Sequence, residues 1–262
     1  RWVLKREITI KNFTTRELEH GKTELHYACL NDEVWLARAC IAFNDKRDMN
    51  APDELGRTPL HYACMHAHID VVKLLLESGA QPSLYDKDRD GDIPIVDAID
   101  HDKVDTVKLL LSYHEKDKVM ALDNLAGAFT WAARKQNLEI VELIVNVCGA
   151  DIINSPHSSY GWTALHYSCW ESDDTEVMKF LLQSGAKVDA LDTDGETALF
   201  YSVAFAHPEC AKVLLAARAA VNLRSNDGDT PLDKALNNDY FYSDEIVELL
   251  EAAGGLRAVD LP

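Results

Sequence analysis

The stretch Gly56-Arg57-Thr58-Pro59-Leu60-His61-Tyr62-Ala63-Cys64 decides how this chain is read. It runs from a turn glycine, through one variable residue and a Thr-Pro pair, into an apolar helix start. Within it His61 and Cys64 stand three residues apart. On a helix that spacing puts imidazole and thiol on one face, as a metal site or a Cys/His nucleophile requires. The same Leu-His-Tyr-small-Cys order returns at 25–29 and 165–169. Either a reactive pair is repeated, or one structural part is used several times.

Outward from Gly56 the whole signature recurs. It appears as Gly21-Lys22-Thr23-Glu24-Leu25, Gly91-Asp92-Ile93-Pro94-Ile95, Gly161-Trp162-Thr163-Ala164-Leu165, Gly195-Glu196-Thr197-Ala198-Leu199 and Gly228-Asp229-Thr230-Pro231-Leu232. Successive glycines from Gly21 to Gly228 are 35, 35, 70, 34 and 33 residues apart. The double gap holds a degenerate copy, Leu125-Ala126-Gly127-Ala128-Phe129-Thr130-Trp131-Ala132-Ala133, which keeps the apolar pattern and loses the Thr-Pro start. Each unit also has a second amphipathic run, such as Val71-Val72-Lys73-Leu74-Leu75-Leu76 or Ile140-Val141-Glu142-Leu143-Ile144-Val145. Gly79 and Gly185 follow two of these runs, where a glycine supplies a left-handed cap at little steric cost.

Helix, short turn, helix, Gly-Ala stop and an Asp/Gly-rich turn, repeated near every 33 residues, resembles the ankyrin-repeat family and its T-P-L-H-x-A signature. The resemblance implies an all-α solenoid of stacked helix-turn-helix units with hairpin-like loops between them. Residues 1–20 form a lead-in, 21–253 a domain of seven repeats starting near 21, 56, 91, 125, 161, 195 and 228, and 254–262 a tail. It also implies that His26, His61 and His166 are structural, their ring nitrogens bonded to turn backbone so that adjacent units are tied together. Val96, Thr130, Phe200 and Asp233 replace them in other units, so no common chemistry is required of the position.

The bulk properties agree. Net charge is −18, from 44 acidic and 26 basic residues, which opposes direct nucleic-acid binding and favours neutral or basic partners. No run of about 18 apolar residues exists to insert in a membrane. The cysteines at 29, 40, 64, 148, 169 and 210 fall mostly inside apolar helical patterns. They read as reduced, small buried hydrophobes, which suits an intracellular protein, cytoplasmic or nuclear. Phosphate-loop, dinucleotide, zinc-protease and C-x-x-C motifs are absent, so no catalytic residue, cofactor or metal is expected. The Asp86-Lys87-Asp88-Arg89-Asp90-Gly91-Asp92 run imitates the start of a calcium loop, but Asp97 stands where the bidentate Glu belongs. It is read as a solvated turn, as are the other acid-rich turns. Asp123 and Asn124 are assigned to the corresponding turn of the fourth unit. The chain starts Arg1-Trp2-Val3 without an initiator Met, and the basic lead-in Arg1 to Lys11 suggests a piece of a longer protein.

A repeat cannot bury its apolar faces alone, so stacking leaves a rigid surface of turn tips and first helices on which partners dock. Most variable positions there are acidic or small. The fifth unit differs, setting Tyr160, Trp162 and Trp170 at positions expected to face outward, where exposed Trp and Tyr mark binding hot spots. The expected site is therefore Tyr160, Trp162, Trp170, Glu171, Asp194, Glu196 and Phe205, with the basic pair Arg134-Lys135 as a second contact. Its partner is a protein or peptide, basic or neutral, with an apolar anchor. A sharper variant is a reader of basic, methyl-lysine histone-like tails, because Gly161-Trp162-Thr163, Tyr167, Glu171 and Tyr201 resemble the aromatic cage of ankyrin domains that bind them. A third reading is the targeting or regulatory arm of a larger enzyme, a channel or a secreted bacterial effector.

Overall fold

A computed structural model describes residues 19–43, 49–66, 69–114, 118–157, 160–238 and 241–261. The lead-in 1–18, including the basic stretch to Lys11, lies outside them. The described residues are helical, without a strand. Their one β feature is the isolated antiparallel bridge between His157 and Trp162.

The chain divides into two compact units, 1–113 and 114–262. The first contains α1 (Glu24–Leu30), α2 (Val34–Phe43), α3 (Pro59–His66), α4 (Ile69–Ser78), α5 (Pro94–Asp100) and α6 (Val104–His114), whose last residue falls at the boundary. Here α1 packs on α3 and α3 on α5, while α2 packs on α4. In the second unit α7 (Lys118–Arg134), α8 (Leu138–Cys148), α9 (Ala164–Tyr167) and α10 (Glu176–Gln183) precede α11 (Ala198–Ala204), α12 (Pro208–Ala216), α13 (Pro231–Leu236) and α14 (Asp244–Ala252). The first helices stack α7–α9–α11–α13 and the second helices α8–α10–α12–α14. Within each unit this is the stacked helix-turn-helix arrangement that the resemblance implies.

Apolar residues at helical spacing make the core. Val71, Val72, Leu75 and Leu76 of α4 are fully buried, as are Val177, Met178 and Leu181 of α10. Cys29, Cys64 and Cys169 are buried too, as small side chains inside their units.

The turn between the two helices of a unit repeatedly turns left-handed at a residue that is not glycine. Asp32, Asp102, Gln136 and Ala206 have φ of 56, 54, 55 and 54°. Tips of neighbouring turns are laddered by backbone bonds. Glu54 donates to the His20 carbonyl at 2.9 Å, Arg89 to Leu55 at 2.9 Å, Thr193 to Tyr160 at 2.9 Å and Asn226 to Asp194 at 2.8 Å.

The histidines behave as the resemblance implies. His26, His61 and His166 accept from the backbone N–H of Thr23, Thr58 and Thr163 at 2.9, 3.0 and 3.0 Å through Nδ1. That leaves Nε2–H to donate to the carbonyls of Arg57, Asp92 and Glu196 in the next turn at 3.0, 3.2 and 3.3 Å. Burial holds all three rings below the usual imidazole range, outweighing those backbone bonds. Neutral, fully committed rings are clamps.

Two expectations are corrected. Asp123 and Asn124 do not form a turn: they lie inside α7, which runs 17 residues from Lys118. Without Thr-Pro to start a helix at residue 125, the preceding helix-compatible residues simply extend it. Nor are the turn acids all solvated. Asp53, Asp88 and Asp192 are buried, each three residues before a tip glycine.

Candidate functional site

Each buried aspartate organises its own turn. Asp88 accepts through Oδ1 from the amides of Asp90 and Asp92 at 2.9 and 3.0 Å, and through Oδ2 from Arg57 Nε at 3.1 Å. Asp88 of the calcium-like run is thus held by its own turn and by Arg57 of the preceding one. Among the described residues no cluster of His, Cys, Asp and Glu has a metal-binding arrangement. Asp53 does the same with Leu55 and Arg57 amides and takes the Tyr62 hydroxyl at 2.8 Å.

Asp192 is the instance that builds a surface. Its Oδ1 accepts from Asp194 N at 2.9 Å and Glu196 N at 2.8 Å, closing the turn. Its Oδ2 accepts from Tyr201 Oη at 2.7 Å and from Trp162 Nε1 at 3.1 Å. Burial, then the bond to Asp192 and its charge, push the Tyr201 phenol well above its ordinary range, so it stays a donor. Gly195 lets the tip close: its φ is +73°, and a Cβ there would meet Asn226 Oδ1 at 2.8 Å.

Anchored by this aspartate, Trp162 becomes the hub of a ring cluster. It meets Tyr167 and Tyr201 edge-on, both at 5.2 Å, and Trp170 at 4.7 Å between centroids. Tyr160 lies 5.5 Å away and is 57% exposed. Trp170 continues the cluster to Phe205 at 5.0 Å, and Phe205 reaches His207 at 6.3 Å. Tyr167 and Tyr201 are buried beneath; Trp162, Trp170 and Phe205 are half-buried and form the upper layer. Trp162 therefore does not face freely outward, as its place in the sequence suggests. Its indole edge is spent on Asp192, and its ring is both floor and wall.

A cation already sits on the rim. Arg134, the last residue of α7, places its guanidinium carbon 4.5 Å from the Trp131 ring centre and 5.7 Å from that of Trp170. Its Nε donates to Glu171 Oε1 at 2.7 Å, and Nη2 donates to the same oxygen. Lys135 beside it is exposed. Glu196 pairs with Lys234 at 2.9 Å, while Asp194 is exposed on the turn tip.

The sequence-selected residues Tyr160, Trp162, Trp170 and Phe205 thus gather into one patch, with Glu171 and Arg134 at its edge. Asp194 and Glu196 belong to the turn held by Asp192. The residues proposed for a methyl-lysine cage, Trp162, Tyr167, Glu171 and Tyr201, are also neighbours. Their rings, however, touch one another, and Glu171 is engaged by Arg134. Sequence reasoning missed Asp192, Trp131 and the Arg134–Glu171 pair. The recurring Asp three residues before Gly56, Gly91 and Gly195 was a usable signal for the first. Nothing in the sequence announces a pair 37 residues apart.

The family model described as Ankyrin repeats (3 copies) matches residues 3–86, 25–121, 95–192 and 171–256. Among curated proteins, an ankyrin repeat protein of fowlpox virus (strain NVSL), FPV031, is 36% identical over 125 residues, covering 45% of this chain and 35% of that protein. The E3 ubiquitin-protein ligase KEG of Arabidopsis thaliana is 33% identical over 101 residues, 38% of this chain and 6% of its own length. The Caenorhabditis elegans homolog of transient receptor potential cation channel subfamily A member 1 is 34% identical over 80 residues, 30% of this chain and 7% of its own. The matches thus span about a third of these relatives or much less. The human ASB11 ankyrin repeat domain superposes with a TM-score of 0.68 at 22% identity, covering 89% of this chain and 99% of that domain. The Bcl-3 ankyrin repeat domain gives 0.66 at 24%, covering 89% and 100%. At such identities these structures speak for the fold alone.

Proposed function

Because this chain belongs to the ankyrin-repeat family, whose repeats are generally non-catalytic modules that bind protein partners, we propose that it is an interaction scaffold of seven repeats. On this reading it holds a segment of a partner protein on the ring cluster of its second unit. The observation that carries it is the half-buried layer of Trp162, Trp170 and Phe205 on a fixed base. Large aromatic surface left partly in water is typical of binding hot spots. Here Asp192 and the buried Tyr167 and Tyr201 hold the rings in place before any partner arrives, which lowers the ordering cost of binding.

The partner is basic or neutral with an apolar anchor, given a net charge of −18 and the exposed Asp194 on the adjoining turn, while Glu171 and Glu196 already pair with Arg134 and Lys234. Nucleic acid is a poor candidate for the same reason. Among the described residues no helix is long and apolar enough to cross a membrane. An intracellular setting, cytoplasmic or nuclear, fits six thiols that form no disulfide and are mostly buried. Affinity capture from cell extract with the wild-type chain, Trp162→Ala and Trp170→Ala tests the placement. Partners retained by wild type and lost from both variants support it; equal retention by all three sinks it.

A second reading is motivated by the relatives. The segments similar to this chain make up only 6% and 7% of a ubiquitin ligase and a channel homolog. We infer that the repeats could equally serve as the recognition arm of a larger enzyme or channel, with the same surface bringing the partner to it.

A further inference from the structure

We propose that Trp131, Trp170 and Glu171 form a receptor for an arginine side chain of the partner segment, and that Arg134 fills this receptor until the partner displaces it. The proposal rests on the docking reading above and names its ligand. Three observations lead to it.

First, the receptor is shaped for a planar donor. Arg134 lies against two indoles, 4.5 and 5.7 Å from their centres, while two of its N–H groups converge on one oxygen of Glu171. A guanidinium both stacks and donates in this way. A lysine ammonium would lose the stack, and a trimethylated one would have no hydrogen to give Glu171. Nor can the neighbouring rings admit a quaternary ammonium between them, with Trp162 and Trp170 centroids 4.7 Å apart.

Second, the ion pair that holds the occupant is open to solvent. The Arg134 and Glu171 side chains are 25% and 42% exposed, and ion pairs this open to water contribute little to stability. Exchange of one guanidinium for another keeps the local charge balance. The released Arg134 remains at the C-terminal end of α7, where the helix dipole favours a cation.

Third, the receptor adjoins the apolar layer. Trp170 is shared: one neighbour is the guanidinium, another is Phe205 at 5.0 Å. A partner segment whose arginine replaces Arg134 therefore brings its adjacent apolar residue onto Trp170 and Phe205. The acidity of the chain supplies the long-range attraction for such a segment.

The test uses the full chain and one labelled basic peptide scaffold in which a single position is arginine, lysine, trimethyllysine or norleucine. Binding is followed by fluorescence anisotropy, and far-UV circular dichroism checks that each variant keeps its fold. The arginine peptide is expected to bind about tenfold more tightly than the norleucine peptide, and Trp170→Ala and Glu171→Gln should each weaken it about tenfold. Arg134→Ala and Arg134→Gln should each tighten it, about fivefold, because the competitor is gone. Equal affinity for arginine and norleucine, preference for trimethyllysine, or no binding of the arginine peptide at about 1 mM overturns the receptor. If both Arg134 variants bind unchanged or more weakly, the displacement step is wrong even where the arginine preference holds. If Trp170→Ala changes the binding of no peptide, including norleucine, the docking reading itself fails.

Discussion

Replacing Asp192 with alanine should be the most damaging single change in the turn region of the second unit. The carboxylate is 8% exposed and accepts four hydrogen bonds, from Asp194 N, Glu196 N, Tyr201 Oη and Trp162 Nε1. Hydrogen bonds to a charged group are worth about 1.5–3 kcal/mol each, and a buried donor left unmatched costs about 1–3 kcal/mol. These contributions do not all survive deletion, because water can reach the two amides at the exposed tip and the half-buried Trp162 indole. Tyr201, 7% exposed, has no such recourse and loses its partner outright. Full loss of the Tyr201 bond and partial loss of the other three gives about 3–4 kcal/mol for Asp192→Ala. Asn at the same place still accepts the two amides but turns an NH₂ toward two donors, so Asp192→Asn should cost about 1–2 kcal/mol. Asp194→Ala, at an exposed carboxylate on the same turn, should stay within about 0.5 kcal/mol of wild type. Urea unfolding by far-UV circular dichroism gives the three values, and tryptophan fluorescence reports whether Trp162 is released. Should Asp192→Ala cost under about 1 kcal/mol, or no more than Asp194→Ala, the idea that this carboxylate fixes the ring cluster is wrong.

Other expectations follow from the same contacts. His166→Ala removes a clamp between Thr163 and the Glu196 carbonyl and should cost about 2–3 kcal/mol in the same urea assay. Because burial lowers the three clamp imidazoles, their contribution is complete above their usual 6.5 and is lost as pH falls below it. A urea series from pH 8 to pH 5 should therefore show falling stability on the acid side, less steeply in His61→Ala. Asp97 has the opposite sign. Burial raises its carboxyl to about 7, with Arg57 opposing and Asp88, Asp92 and Asp100 adding to the rise. The folded chain then keeps a proton that the unfolded chain releases near 3.8, so stability declines as pH climbs from there to about 7. Asp97→Asn should remove that decline and be more stable than wild type at pH 8, by roughly 1–4 kcal/mol. Ala206→Gly, at a residue with φ of 54°, should stabilise the chain by about 0.5–1 kcal/mol, read as a higher thermal midpoint.

The fold was legible because glycine, threonine and leucine recur at fixed spacing, and each has a backbone or core reason to be where it is. The fourth unit was legible as a helix pair but not at its start. Residues 118–124 are compatible with helix, and only the absence of Thr-Pro tells against a turn there. At the candidate site, aromatic positions could be read from type and register, so Trp162, Trp170 and Phe205 were named before their contacts were known. Their orientation could not be read. Whether Trp162 points to water or to Asp192 depends on a turn 30 residues later. Acids posed the same difficulty, since Asp192 and Asp194 look alike in sequence while one is buried and the other exposed.

A photo-crosslinking residue placed at Tyr160, and in a second protein at Gln183 on α10, would test the docking surface most directly in cells. Tyr160 borders the rings and is 57% exposed; Gln183 is exposed at the end of a second-layer helix. A discrete partner adduct from position 160 that disappears with Trp170→Ala, and none from position 183, is the expected result. Adducts of equal yield from both positions, or adducts from 160 that persist when Trp170 is gone, would contradict a partner held on this ring cluster.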